Sequence, residues 1–281
     1  ISAATGARAV ERALEAGVTW FDVAPSYGDG QAEILLGQAL KGVNAAVVTK
    51  VGLVAQRRSF AKRAVGAVAR PLVAAVPALR PLVKKLRPDN AQRVALDAET
   101  VRVSLYQSLE RLGRDSVAVL ALHDPSLDDV RNEDVIAALK GLREQGLTAC
   151  IGIAGSAEIA AAALASGFPA DIVQLANSPF QRGLAALKGR TPFAVTHSVF
   201  GVGGALEKMK PVARAEAGRL AAMGYVDVPH LLLDYAFAAN PNGVVLTSSY
   251  GPGHLAANAA AATRPPDPEL VAKVDALVGG A

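Results

Sequence analysis

What most constrains the fold of this chain is a repeating rhythm. A short apolar, β-rich run ends in a polar residue, and an Ala/Leu-rich helical pattern follows. Val18-Thr19-Trp20-Phe21 runs into Asp22, Ala45-Ala46-Val47-Val48-Thr49 into Lys50, and Val117-Ala118-Val119-Leu120-Ala121-Leu122 into His123. The rhythm continues with Cys150-Ile151-Gly152-Ile153 before Ala154, Asp171-Ile172-Val173 before Gln174, Phe193-Ala194-Val195-Thr196 before His197, and Gly243-Val244-Val245-Leu246-Thr247 before Ser248. Continuous apolar runs of this length suit strands buried on both faces, as in a parallel sheet. Apolar residues at helical spacing fill Ala7 to Ala16, Ala32 to Leu40, Ala98 to Leu112, Asn132 to Gln145 and Ala157 to Ala165, and Gly17 stands where a helix ends.

Alternating strand and helix predicts a parallel sheet covered by helices. The expected fold is α/β, a (β/α)8 barrel, and 281 residues suit its usual size. Seven strand candidates are visible and the sequence opens inside a helical pattern. The barrel reading therefore places the first strand upstream of the sequence. The competing fold, an open doubly wound sheet, calls for a G-x-G-x-x-G turn after an early strand, and none follows one. Residues 1–281 read as one domain, interrupted by an insertion at about 54–97. Pro71, Pro77, Pro81 and Pro88 forbid one long helix in that insertion but leave room for short ones. It follows the strand ending at Lys50, on the barrel face where substrate-facing loops are built.

Composition narrows the function. Apolar residues make up 51% of the chain, which fits a globular protein. Aromatics are only 5%, too few for base-stacking platforms on single-stranded nucleic acid. No run of ~18 apolar residues is present to span a membrane, and no signal peptide is visible. Cys150 is the one cysteine, so no internal disulfide and no cysteine-based metal site is expected; we read it as a buried thiol in a cytoplasmic protein. The net charge of +4 hides an asymmetry. Arg57, Arg58, Lys62, Arg63, Arg70, Arg80, Lys84, Lys85 and Arg87 all lie in the insertion, and without them 20 basic residues face 25 acidic ones.

In a parallel barrel the C-terminal ends of all strands meet on one face. Asp22, Lys50 and His123 sit at three such ends, with Tyr27 in the loop after the first. An acid, a base, a phenol and an imidazole are thereby brought together. Lys50 beside Tyr27 would favour the phenolate and lower the Tyr27 pKa, Asp22 would hold Lys50, and His123 would orient a carbonyl oxygen. Such a set can protonate an alkoxide as hydride arrives.

The same stretches resemble a known family. Gly17-Val18-Thr19-Trp20-Phe21-Asp22-Val23-Ala24-Pro25-Ser26-Tyr27-Gly28 resembles the aldo-keto reductase signature, and Glu33 to Leu40 is similar to that family's following helix. Val47 to Gly52 resembles its lysine strand, Ser104 to Gly113 its next helix, and His123-Asp124-Pro125 its histidine strand. Leu142 to Gly146 and Ile151-Gly152-Ile153 continue the likeness, which skips the basic insertion and about 183–188. The resemblance implies a barrel that binds a nicotinamide cofactor without a Rossmann domain, with Tyr27 as proton donor, Asp22 and Lys50 tuning it, and His123 positioning the carbonyl. It further implies that Gln174 contacts the nicotinamide carboxamide, His197 stacks on its ring, Ser198, Phe200 and Gly201 line the pyrophosphate loop, and Asn258 reaches the adenine. His197 departs from the aromatic ring usual there, and Ala154-Gly155-Ser156 stands where many members have Ser-Asn.

Ser248, Ser249, Tyr250 and His254 stand where NADP-preferring members often carry Lys or Arg, the natural partners of a 2′-phosphate. NADP(H) is the cofactor the resemblance implies, with NAD(H) open, and Ser248, Tyr250 and His254 are candidate contacts. The His-Asp-Pro sequence resembles the branch that contains sugar and pyridoxal dehydrogenases. A small carbonyl or alcohol is the expected substrate, and no metal is expected. The alternative is a cofactor-binding regulatory barrel without turnover, as in channel-associated members of the family. Three readings remain for the insertion: a substrate-gating loop, a source of cations for an acidic substrate or cofactor phosphate, or a membrane-surface or partner-binding element. A nucleic-acid role is disfavoured, because Phe60 is its one aromatic residue.

Overall fold

The computed structural model describes residues 2–55, 91–187, 189, 192–200 and 204–279. The basic stretch from Arg57 to Arg87, and Gly201, lie outside the described residues.

All seven expected strands form: β1 (Trp20–Asp22), β2 (Ala46–Val51), β3 (Val117–His123), β4 (Thr148–Ala154), β5 (Ile172–Ser178), β6 (Phe193–His197) and β7 (Val244–Val245). They pair in parallel, in chain order. The intervening helices are α1 (Ala3–Glu15), α2 (Gln31–Ala39), α3 (Ala98–Leu112), α4 (Glu133–Glu144) and α5 (Ala157–Ala165), close to the spans their periodicity predicts. Four further helices of ten residues or more follow, α6 (Ala205–Ala215), α7 (Val228–Ala239), α8 (Pro252–Ala262) and α9 (Leu270–Gly279), and Leu127–Arg131, Gly183–Ala186 and Ala217–Ala222 form shorter ones. Ser2, Asp97, Asn132 and Ser156 each cap a helix by accepting a backbone N–H, which explains why α1, α3, α4 and α5 start where they do.

Each strand divides its residues between two layers, because successive side chains point to opposite faces. Leu120, Leu122, Val47 and Val51 belong to the large outer core under the helices, whereas Val48, Val119, Ala121, Ala154 and Val195 form a small inner cluster. By the same parity Lys50 and His123 fall on the inner face. The apolar strands thus bury two charged or titratable groups at their C-terminal ends while filling the space below them with small side chains.

The sheet curls nearly back on itself. Trp20 on β1 and Phe193 on β6 bring their ring centroids to 6.0 Å, although four strands separate them in the sheet. Outside, α1 packs against α8. The sheet does not close, however. Among the described residues β1 and β7 are not hydrogen-bonded to each other, and both remain only half-buried. The described residues thus form a barrel-like sheet of the seven parallel strands that the sequence pattern counts, with a seam between β1 and β7, and not a closed eight-stranded barrel. The two edge strands that bound it are three and two residues long.

Directly after β2, Leu53–Ala55 pairs antiparallel with Ala91–Arg93, so the insertion is approached through a hairpin on the strand C-terminal side. On the outer layer α2 lies against the end of α3 at Gly37, where a Cβ would stand 2.2 Å from the Leu112 carbonyl oxygen. Gly37→Ala is expected to cost about 1–3 kcal/mol. Gly141→Ala in α4, where a Cβ meets nothing within 4 Å, should instead be neutral or gain about 0.5–1 kcal/mol. Thermal or urea unfolding of the two variants checks the opposite signs.

Candidate active site

The site is assembled from the ends of β1, β2 and β3. Lys50 is 1% exposed, and its Nζ donates to Asp22 Oδ1 at 2.5 Å and to the Val23 carbonyl at 3.2 Å. Both partners come from the neighbouring strand and its continuation, so the parallel β1–β2 register sets the pair. Beyond β1 the chain turns tightly, with Tyr27 N–H donating to Ala24 O at 3.0 Å and Gly30 N–H to Pro25 O at 2.9 Å. This turn sets the Tyr27 ring over Lys50, with Nζ 5.4 Å from the ring centroid. The His123 ring meets Tyr27 edge-on at 6.0 Å and 86°. At Gly52 (φ 127°) a Cβ would lie 2.8 Å from the His123 carbonyl oxygen, so a glycine there lets the two strand ends approach.

The electrostatics divide the four residues. Burial pushes the Lys50 ammonium down from its ordinary value, while the adjacent Asp22 carboxylate and the more distant Glu33 oppose the shift. Burial and then the Lys50 charge lower His123 to about 4, so its imidazole is neutral near pH 7. His197 is lowered as well, chiefly by burial. Tyr27 goes the other way from its sequence expectation. Burial and then the Asp22 charge raise it to about 12, although 41% of the residue's surface is exposed. Burial is the larger cause and the Asp22 charge the second, and the Lys50 ammonium, whose hydrogen bonds go to Asp22 and Val23, does not offset them.

Three buried polar atoms in this group have no hydrogen-bond partner among the described residues: Asp22 Oδ2, Ser26 Oγ and His123 Nδ1. Unmatched buried polar atoms are costly and point to a polar ligand. Asp22 and His123 border a cavity of about 2100 Å3, well above the ~300–1,000 Å3 of an ordinary small-molecule pocket. The cavity runs from the strand ends into the seam between β1 and β7, where α1 and α8 also line it.

Asp22, Tyr27, Lys50 and His123 all line this cavity, as do Gln174, His197, Ser198, Phe200, Ser248, Tyr250 and Asn258. His197 Nδ1 and Ser198 Oγ are 2.7 Å apart, and Ser198 adopts the left-handed φ of 69°. Asn258 Nδ2 donates to Thr247 Oγ1 at 3.0 Å. His254 is not brought to the cavity; it is exposed on the first turn of α8. The cavity wall also includes Leu53, Asp124, Ser156, Arg182 and Thr247, which sequence reasoning did not assign. Asp124 follows His123 directly, at φ 50°, and pairs with Arg93 of the hairpin at 3.1 Å. Its place in the chain was a usable signal, whereas Leu53 and Arg182 lie in short antiparallel strands of three and two residues that carry none. Gln, His, Ser and Asn side chains lining the same large cavity as a phenol and a neutral imidazole suit a polar organic cofactor bound beside a small substrate.

The sequence profile of the Aldo/keto reductase family matches residues 1–278. The chain belongs to the aldo/keto reductase family. Among curated proteins it is 30% identical over 154 residues to L-galactose dehydrogenase of Arabidopsis thaliana, a match covering 52% of this chain and 37% of that protein. It is 29% identical over 153 residues to the NADH-specific methylglyoxal reductase of Escherichia coli, covering 52% and 40% of the two chains. It is also 32% identical over 154 residues to D-threo-aldose 1-dehydrogenase of a Pseudomonas species, covering 51% and 42%. Each match thus spans less than half the length of the relative. The fold is similar to that of a glycerol dehydrogenase from Gluconobacter oxydans (TM-score 0.73, 17% identity, 99% of this chain and 86% of that one). It is also similar to an aldo/keto reductase from Klebsiella pneumoniae solved with NADP and acetate (TM-score 0.69, 19% identity, 98% and 86%). Among the described residues no helix is long and apolar enough to cross a membrane.

The low pKa of His123 has a consequence for acid stability. An unfolded imidazole near 6.5 takes up protons before a folded one at about 4, so this group's contribution to stability is full above 6.5 and falls as the pH drops from 6.5 to about 4. Unfolding midpoints measured at several pH values should show a shallower loss across that window in His123→Gln than in the wild type.

Proposed function

We propose that this chain is an NAD(P)(H)-dependent oxidoreductase that interconverts a carbonyl and an alcohol by hydride transfer, with Tyr27 as general acid and base. The observation that carries the reading is the pairing, at one end of one cavity, of a protonated phenol with a neutral imidazole whose Nδ1 has no partner among the described residues, over a buried lysine–aspartate pair.

The nicotinamide, when bound, supplies the hydride to the carbonyl carbon or takes it from the alcohol. Gln174, His197, Ser198, Phe200, Asn258 and, from the sequence alone, Gly201 would hold the cofactor, with Ser248 and Tyr250 beside it. His123 orients the substrate oxygen through a neutral ring nitrogen. Tyr27 gives that oxygen its proton as the negative charge develops, and the Lys50 ammonium beneath the ring stabilises the phenolate left behind. Asp22 keeps Lys50 in place. A phenol raised to about 12 is protonated through the neutral range, which favours carbonyl reduction there. Alcohol oxidation needs the phenolate and should accelerate as the pH rises.

Residues 1–281 act in this reading as one barrel domain, interrupted by the insertion at about 54–97. The family likeness suggests NADP(H), and the Klebsiella pneumoniae protein was solved with NADP. A relative named as NADH-specific supports NAD(H) as well. The cavity wall from Val244 to Ala262 contains no Lys or Arg. NADPH is therefore predicted to bind no more than about tenfold more tightly than NADH, a margin of about 1.4 kcal/mol, in a fluorescence titration of both cofactors. Two of the three relatives are named for sugar oxidation, which directs the substrate search toward aldoses alongside small aldehydes.

The activity is tested by following cofactor absorbance against aldehydes and sugars. Tyr27→Phe is expected to lose at least about 100-fold in kcat while still binding cofactor. Equal turnover by the variant would overturn the role of Tyr27. Cofactor binding with no turnover by the wild type would favour a regulatory barrel.

A further inference from the structure

Behind the lysine strand, on the face away from the cavity, lies a second charged group that no step above uses. Glu33, in the first turn of α2, is 0% exposed. Its Oε1 accepts from Thr49 Oγ1 at 2.7 Å, and its Oε2 accepts from Arg111 Nε at 2.5 Å. Arg111 also donates through Nη2 to Ser108 Oγ at 3.3 Å, both residues lying on α3. Thr49 is the residue before Lys50, and strand parity sends its side chain outward to Glu33 while Lys50 points inward to Asp22. One peptide unit of β2 is thus gripped from both faces.

A fully buried carboxylate is expensive, and an apolar residue could fill this helix–strand contact at lower cost. Its hydrogen bond to Thr49, rather than the ion pair alone, gives it a bearing on the site. We propose that Glu33 is a positioning residue of the active site: through Thr49 it fixes the strand that carries Lys50, and its negative charge behind the strand helps keep the Lys50 ammonium protonated. Lys50 is faced by Asp22 from β1, His123 from β3, His197 from β6, Tyr27 from the loop, and Glu33 from α2, whose own partner is Arg111 from α3. Asp22 is the nearer anion and Glu33 the second one acting on Lys50, both opposing the desolvation that favours the neutral amine. The proposal rests on the reductase reading above for its kinetic arm only.

The test compares Glu33→Gln, Glu33→Asp and the charge-neutral double variant Glu33→Gln/Arg111→Met with the wild type. The first readout is the titration of the Lys50 Nζ by 15N-lysine NMR, assigned through its loss in Lys50→Met. The second is the alkaline limb of kcat/KM for carbonyl reduction. In Glu33→Gln both are expected to move to lower pH by about one unit, with Glu33→Asp restoring most of the shift. A merely structural role would lower the melting temperature and leave both readouts where they are in the wild type. In the double variant the lost anion and the lost cation offset each other, so both readouts are expected near their wild-type values; if Glu33→Gln does not fold, Arg111→Met, which leaves the Glu33 charge unopposed, is expected to move them to higher pH instead. Unchanged Lys50 titration and limb in folded Glu33→Gln, or in folded Arg111→Met where Glu33→Gln does not fold, would overturn the proposal. A wild type with no turnover would overturn the reductase reading instead, and the NMR titration would still decide the role of Glu33.

Discussion

The contact on which the rest of this structure depends is the buried ion pair between Lys50 and Asp22. An ammonium that is 1% exposed is tolerated only with partners, and its two are supplied by adjacent β1 and the residue after it. Removing one partner of such a pair costs about 3–5 kcal/mol, since the other charge stays buried. The parallel register of β1 on β2 is therefore coupled to the chemistry: a slip of one residue would turn Lys50 out of the cavity. The same charge lowers His123 and sits beneath the Tyr27 ring. One pair thus links sheet pairing to the protonation states of the residues around it.

Much of this was legible in the chain because strand ends in a parallel barrel have a strong local signature. Seven short apolar runs each lead to a residue that the structure places at or near the cavity, from Asp22 to Ser248. Helices such as α3 and α5 announce themselves through periodicity and capping residues, and their bounds, Ala98–Leu112 and Ala157–Ala165, match the pattern. What was not legible depends on packing between distant segments. The hairpin of Leu53–Ala55 with Ala91–Arg93 joins short segments across the whole insertion, and its second strand is exposed and polar. The Glu33–Arg111 pair joins helices 78 residues apart.

The direction of the Tyr27 shift shows where motif reasoning stops. A lysine beside a tyrosine suggests a lowered phenol pKa, but that inference ignores how the lysine's charge is already used. Here burial raises the phenol first, and Asp22, which also holds Lys50 at hydrogen-bond distance, adds to the same effect. Closure of the barrel is a similar case. The alternating pattern specifies a parallel sheet with helices on one face, whereas closure depends on how near the two edges lie, and among the described residues β1 and β7 are not paired with each other.

We propose, at the centre of this account, that the buried Lys50 ammonium, held by Asp22, stabilises the phenolate that Tyr27 becomes as hydride is transferred to the carbonyl. This role is tested most directly by single-turnover kinetics of Lys50→Met, with cofactor affinity and thermal unfolding measured on the same protein. The account predicts hydride transfer slowed by at least about 100-fold with cofactor affinity nearly unchanged. A folded, cofactor-binding Lys50→Met that transfers hydride at the wild-type rate would contradict it.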